Sequence, residues 1–273
     1  MTLPFGDPTG AEAPTVGFAL LLSALAGLST GIGSAIGLLA KRTNKAFLGA
    51  SLGFSGGVMI YVSFVELLPA ARDEICAGGH EAWVAVAAFF GGMILTSLID
   101  RIVPGPENPH EAALVEERDT PHEAARLRRI GVVTAIVIAI HNFPEGIATF
   151  FSALSDARVG LAIAIAVALH NIPEGISVAV PIYYATGSRR KAFWYSFLSG
   201  VAEPVGALAA WLVLGPYLSP LTTGLTTAAV AGVMVFLAVD QLIPNAKRYE
   251  PGHGSVYGMI AGMAIMALTL LLL

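Results

Sequence analysis

The stretch HNFPEGI at residues 141–147 returns as HNIPEGI at residues 170–176. Within each copy the histidine and the glutamate are four residues apart, His141 with Glu145 and His170 with Glu174, so on a helix they share one face. Asn142 and Asn171 sit three residues before those glutamates and lie beside that face. Pro144 and Pro173 have no N–H and crowd the carbonyl four residues back, which predicts a bend and a freed acceptor in each helix. Gly146 and Gly175 admit a closely approaching neighbour. Each motif therefore presents an imidazole, a carboxylate and an amide at one depth of a helix. The 29-position separation of His141 and His170 is enough to leave one helix and return on its antiparallel neighbour, so both motifs can meet.

Outward from these motifs the chain is too apolar for water. Of its 273 residues, 55% are hydrophobic and 12% charged, where a soluble domain carries about 25% charge; the mean hydropathy is +0.73. The net charge of −4 gives no nucleic-acid signal. A single cysteine, Cys76, excludes an internal disulfide framework and a thiolate cluster. The N-terminal stretch MTLPFGDPTGAEAPT lacks Lys and Arg and has no cleavage pattern, so the first apolar run is expected to stay as a span. Runs of about 20 apolar residues read as membrane helices, and these are too long and uniform for barrel strands. Eight spans are expected, at about 16–40, 46–71, 82–99, 130–154, 159–184, 192–218, 221–244 and 256–273. The fold class is an all-α integral membrane protein, one transmembrane domain over residues 1–273.

Loop charge sets the orientation. Of the 15 Lys and Arg residues, all but Arg72 and Arg158 fall in one set of alternate loops, which the positive-inside rule assigns to the cytoplasm. Eight spans then put both termini outside. The long loop at about 100–129, with His110, Glu111, Glu116, Glu117, Asp119, His122 and Glu123, reads as a solvated connector rather than a metal-sensing segment.

A second repeat is visible. GVMIYVSFVELLP at 57–69 resembles GVMVFLAVDQLIP at 232–244: Met59 matches Met234, Glu66 matches Gln241 and Pro69 matches Pro244. The two copies run in opposite directions across the bilayer, an inverted repeat relating spans 1–3 to spans 6–8 around spans 4 and 5. Such repeats are a transporter signature.

Charges in spans are costly, by about 2.5–3.5 kcal/mol each on insertion scales, and default to function. The intramembrane polar set is Glu66, His141, Asn142, Glu145, His170, Asn171, Glu174, Glu203, Asp240 and Gln241. Two imidazoles and two carboxylates form a nitrogen–oxygen ligand set suited to Zn²⁺, and also to Fe²⁺, Mn²⁺, Co²⁺ or Cd²⁺. Glu203, before Pro204 in SGVAEPVGA, is read as a further ligand in preference to a structural carboxylate. Met59 by itself reads as packing. Glu66 reads equally as an attractor of entering cations or an interfacial carboxylate, and Asp240 is its cytoplasmic-side analogue, offset by one position.

The paired HNxPEG motifs, the eight spans and the long loop between spans three and four resemble the ZIP (Zrt/Irt-like) metal-transporter family, and most closely its bacterial zinc-uptake branch. The resemblance implies a binuclear site. Its first metal would take Met59, His141, Glu145, His170 and Glu174; its second would take Asn142, Asn171, Glu174 and Glu203, with Glu174 bridging and Glu145 a further candidate bridge. It also implies a 3+2+3 arrangement and an elevator-like motion of spans 1, 4, 5 and 6 against spans 2, 3, 7 and 8. A homodimer, import into the cytoplasm and a bacterial inner-membrane location follow from the same resemblance. The long loop lacks the His-rich tract common in the family.

The expected function is uptake of Zn²⁺ and other divalent transition metals by alternating access, with the metal as substrate and no catalytic cofactor. The rivals are an intramembrane metallohydrolase, disfavoured by the absence of H-E-x-x-H and of an acid free to act as base, and a metal-selective channel.

Overall fold

The computed structural model describes residues 15–39, 45–102 and 121–272, and among them it is all helix with no strand. The helices are α1 (Val16–Leu39), α2 (Lys45–Val62), α3 (Leu68–Ala77), α4 (Trp83–Ile102), α5 (Pro121–Ser155), α6 (Ala157–Thr186), α7 (Arg189–Gly200), α8 (Ala202–Leu214), α9 (Pro220–Leu237), α10 (Ile243–Tyr249) and α11 (Gly254–Leu272). A π-turn at Ser63–Leu67 joins α2 to α3, and another at Ala238–Leu242 joins α9 to α10. Seven segments of the described residues are long and apolar enough to cross a membrane; α5, which carries the first HNxPEG motif, is not among the seven. The distribution of side chains is that of a membrane protein. Leu25, Ile32, Phe90, Ile94, Leu212 and Ile260 are exposed, while Ser23, Thr30, His141, Asn142, Glu145 and Glu203 are buried. Hydrocarbon outside lets apolar residues face outward, and close packing inside selects small and polar ones.

Helix ends follow local chemistry. Asp156 alone separates α5 from α6. Its carboxylate caps α6 by accepting from the N–H groups of Arg158 at 2.7 Å and Val159 at 3.1 Å. His141 lies 15 residues before Asp156 and His170 14 residues after it. At about 1.5 Å per residue both histidines end up about 21–23 Å from the turn, at one depth. Both helices continue through Pro144 and Pro173. Helix α5 begins at Pro121, well before the expected start near 130. EAARLRR (123–129) is rich in strong helix formers, and Pro121 supplies a pre-set first residue. His122 and Glu123 therefore belong to a helix rather than to the connector, whereas His110, Glu111, Glu116, Glu117 and Asp119 lie outside the described residues. The expected span at 192–218 is broken at Val201, between α7 and α8. Pro204 cannot donate to the carbonyl of Gly200, and that oxygen faces Gly27 of α1 instead.

The helices pack in two groups. One comprises α1, α5, α6, α7 and α8; the other comprises α2, α3, α4, α9, α10 and α11. The groups meet mainly through α2 on α6 and α9 on α5.

Within the second group the repeat is exact to the residue. Gly57 of α2 packs on the carbonyl of Met259 in α11, and its counterpart Gly232 of α9 packs on the carbonyl of Phe89 in α4. Gly262 packs on the carbonyl of Phe54 as Gly92 packs on that of Ala229. A Cβ at Gly49 would lie 2.8 Å from the carbonyl oxygen of Ala246, and one at Gly224 2.8 Å from that of Ala71. Gly49 faces Ala246 while Gly56 faces Ile243, so α2 and the α9–α10 rod are antiparallel. The π-turns also correspond, each followed by a proline, Pro69 or Pro244, at the second residue of the next helix. A π-turn widens the helix where proline lacks its N–H and crowds a carbonyl, which is how α3 continues past Pro69 to Ala77.

Candidate metal centre

His141, Glu145 and Glu174 each offer a ligand atom within 4.8 Å of the others. His170 Nε2 lies 3.1 Å from Glu145 Oε1, with both side chains fully buried. The two HNxPEG motifs thus converge across the α5–α6 hairpin, as their equal distance from the turn requires. Glu203 enters from the first turn of α8, where the partial positive charge of a helix N-terminus suits a carboxylate. Asn171 Nδ2 donates to Glu203 Oε1. The carboxylates of Glu145 and Glu174 are close enough to Glu203 to act on it electrostatically.

Backbone carbonyls hold the two asparagines. Asn142 Nδ2 donates to the carbonyl of Ser199 at 3.1 Å, and Asn171 Nδ2 to that of Ala26 at 3.0 Å. With each amide nitrogen so engaged, each amide oxygen is directed elsewhere. Among the described residues Asn142 Oδ1, Asn171 Oδ1, Glu145 Oε2, Glu174 Oε1, Glu174 Oε2 and Glu203 Oε2 are buried and have no hydrogen-bond partner. Native interiors leave few polar atoms in that condition. A concentration of acceptors without donors is what a divalent cation supplies for: its charge offsets the carboxylates, and its coordination sphere uses oxygen lone pairs directly.

The remaining expected residues lie at different places. Met59 is fully buried in α2, one turn beyond Ser55, whose Oγ donates to the carbonyl of His170 at 3.0 Å. That bond sets α2 against the second motif. Glu66 and Asp240 both fall in the π-turns, Glu66 half-buried and Asp240 exposed. Neither belongs to the cluster of His141, Glu145 and Glu174. The supporting residues Ser55, Ala26, Ser199, Gly27 and Gly200 drew no attention in the sequence. Their signal is a set of small residues on α1, α2 and α7, which reads only as close packing until the partner helix is known.

The ZIP zinc transporter family profile matches residues 100–270. Curated relatives align over nearly the whole chain. The zinc transporter ZupT of Chlorobium phaeovibrioides is 59% identical over 261 residues, covering 93% of this chain and 97% of that protein. The zinc transporter ZupT of Streptococcus mutans is 54% identical, with 93% and 97% covered. The zinc transporter ZupT of Clostridium perfringens is 51% identical, with 93% and 95% covered.

Proposed function

The chain belongs to the ZIP zinc transporter family, and from that premise we propose that it carries Zn²⁺ into the cytoplasm through the His, Asn and Glu cluster between α5, α6 and α8. The observation that carries the reading is the set of six buried carboxylate and amide oxygens without hydrogen-bond donors, gathered beside two imidazoles at one depth. Two ions share the cluster. The first is held by Met59, His141, Glu145, His170 and Glu174, a set containing softer nitrogen and sulfur donors. The second is held by the oxygens of Asn142, Asn171, Glu174 and Glu203. Glu174, with both oxygens unpartnered among the described residues, bridges them. Other divalent transition metals with the same ligand preference, Fe²⁺, Mn²⁺, Co²⁺ and Cd²⁺, are carried as well.

The ion moves with its site. The group α1, α5, α6, α7 and α8 slides as an elevator against the group α2, α3, α4, α9, α10 and α11, in a 3+2+3 arrangement of eight spans over one domain. Support comes from an asymmetry between the repeats. Helix α11 packs against α6, while between its counterpart α4 and α5 lies an apolar groove of about 790 Å³ lined by Ile99, Ile140, Phe143 and Val233. Two related halves in unequal positions are what alternating access needs, since exchanging them opens the other side. The protein acts as a homodimer in the bacterial inner membrane with both termini extracytoplasmic. Glu66 and Asp240 lie near the two ends of the path.

Anomalous scattering from crystals grown with zinc tests the site. Two zinc ions per chain within coordination distance of Glu174 are expected. Zinc bound only away from Glu145, Glu174 and Glu203 would overturn the assignment.

A further inference from the structure

The internal two-fold relation runs through the metal centre and places Thr30 opposite Glu203. Gly146 of the first motif packs on the carbonyl of Glu203, and Gly175 of the second packs on the carbonyl of Thr30. Gly206 meets the carbonyl of Phe143 as Gly33 meets that of Ile172. Asn142 donates to Ser199 as Asn171 donates to Ala26. A Cβ at Gly27 would lie 3.2 Å from the Cβ of Glu203, and a Cβ at Gly200 would lie 2.8 Å from the Cβ of Thr30. Each contact maps residues of α1 onto α7 and α8 by one constant offset, and α5 onto α6 by another. Position 30 is therefore to Glu174 and Asn142 what position 203 is to Glu145 and Asn171.

Thr30 is fully buried, and its Oγ1 has no hydrogen-bond partner among the described residues. A threonine inside a helix ordinarily donates to the carbonyl four residues back. Here that carbonyl belongs to Ala26, and it already accepts from Asn171 Nδ2 at 3.0 Å and from Ser29 Oγ at 2.6 Å. The side chain that has displaced the local bond is itself one of the amides of the centre.

We propose that Thr30 is a cation-contacting position, the neutral counterpart of Glu203, whose hydroxyl oxygen, resting against Gly200 of α7 in this structure, turns to the ion held by Asn142 and Asn171 and reaches it directly or through one water of its shell. This rests on the cation-binding reading above. A hydroxyl at the mirrored position solvates the ion without adding a further carboxylate charge. The second ion is then anchored on the α8 side and held by neutral oxygen alone on the α1 side. As a hard oxygen donor, Thr30 favours Mn²⁺ over the softer Cd²⁺.

The test is binding of Mn²⁺ and of Cd²⁺ to the purified full-length chain, with affinities from calorimetry and bound ions counted by elemental analysis. Thr30→Val is expected to weaken the second Mn²⁺ by about tenfold or more, as loss of a supporting group does in other metal sites. The first ion should be unaffected, Cd²⁺ should change less, and Thr30→Ser should restore the wild-type values. Glu203→Thr is expected to lose the second ion, and combining it with Thr30→Glu to regain it. Identical affinity and ion count in Thr30→Val and wild type would overturn the proposal. If Thr30→Val does not fold, the exchange decides: failure of a folded Thr30→Glu, Glu203→Thr double variant to bind a second ion overturns it equally. A wild-type chain that binds neither metal would overturn the cation-binding reading itself, a separate result.

Discussion

Replacing Gly146 by alanine separates the site from the packing that positions it. An ideal Cβ on Gly146 overlaps the carbonyl oxygen of Glu203 and lies 2.6 Å from its carbonyl carbon and 2.7 Å from its Cα. These are backbone atoms of α8 and cannot rotate away, so α5 and α8 have to part by about 1.4 Å before ordinary contact near 3.4 Å with the Glu203 carbonyl oxygen is restored. Overpacking of this kind costs about 1–3 kcal/mol. The larger effect is on geometry. The parting carries Glu203 away from Glu145 and Asn171, and metal–ligand distances tolerate only about 0.2 Å. A fall in zinc affinity on the order of 10–100-fold is expected, the range seen when the support of a ligand is removed. Gly92→Ala is the control: it forces α4 off the carbonyl of Ala229 in α9, with a Cβ only 2.8 Å from that carbonyl carbon, on two helices that carry none of the proposed ligands. It should lower the melting temperature while leaving zinc affinity in place. Gly91→Ala, with nothing within 4 Å, should do neither. Calorimetric titration with zinc and a thermal melt of each variant decide the matter. Wild-type affinity in Gly146→Ala, or an equal loss of affinity in Gly92→Ala, would refute the claim that this helix contact positions the site.

Alanine at His141, Glu145, His170 or Glu174 is expected to abolish or greatly reduce transport while the protein still folds in membranes; wild-type flux in two of the four would remove the assignment. Ligation requires deprotonated imidazole and carboxylate, and free histidine titrates at about pH 6.5. Protons therefore compete with the metal, and apparent zinc affinity should fall as pH drops from about 7.5 to about 5.5, with protons released on binding in weakly buffered detergent solution. Constant affinity with no proton release would contradict this. Asp156→Ala removes the cap that accepts from Arg158 and Val159 and should cost about 1 kcal/mol, read as a lower melting temperature, with unchanged stability as the contrary result.

The centre was legible because its residues violate the rule of their surroundings. A pair of histidines and glutamates at four-residue spacing inside apolar runs has no use in lipid except to meet, and the equal distances of His141 and His170 from Asp156 make the meeting unavoidable. The repeat 57–69 with 232–244 was legible for the same reason, since its prolines and methionines stand at equal spacing. The π-turns were not. They answer to Pro69 and Pro244, but a proline allows a kink, a break or a widened turn, and only packing against α9 or α2 selects among them. Nor was the break at Val201: SGVAEPVGA permits a continuous helix, and it is the approach of Gly27 to the carbonyl freed by Pro204 that gives that carbonyl a setting in the fold. The supports of Asn142 and Asn171 are backbone carbonyls of Ser199 and Ala26, which any residue carries, so no side-chain pattern could announce them.

Whether the cluster joining α5, α6 and α8 moves zinc is decided by uptake of radioactive zinc into liposomes containing the purified chain, wild type beside the Glu174→Ala variant. Saturable zinc uptake by the wild type and none above protein-free liposomes by the variant is the predicted result. Equal uptake by the two proteins would contradict the account.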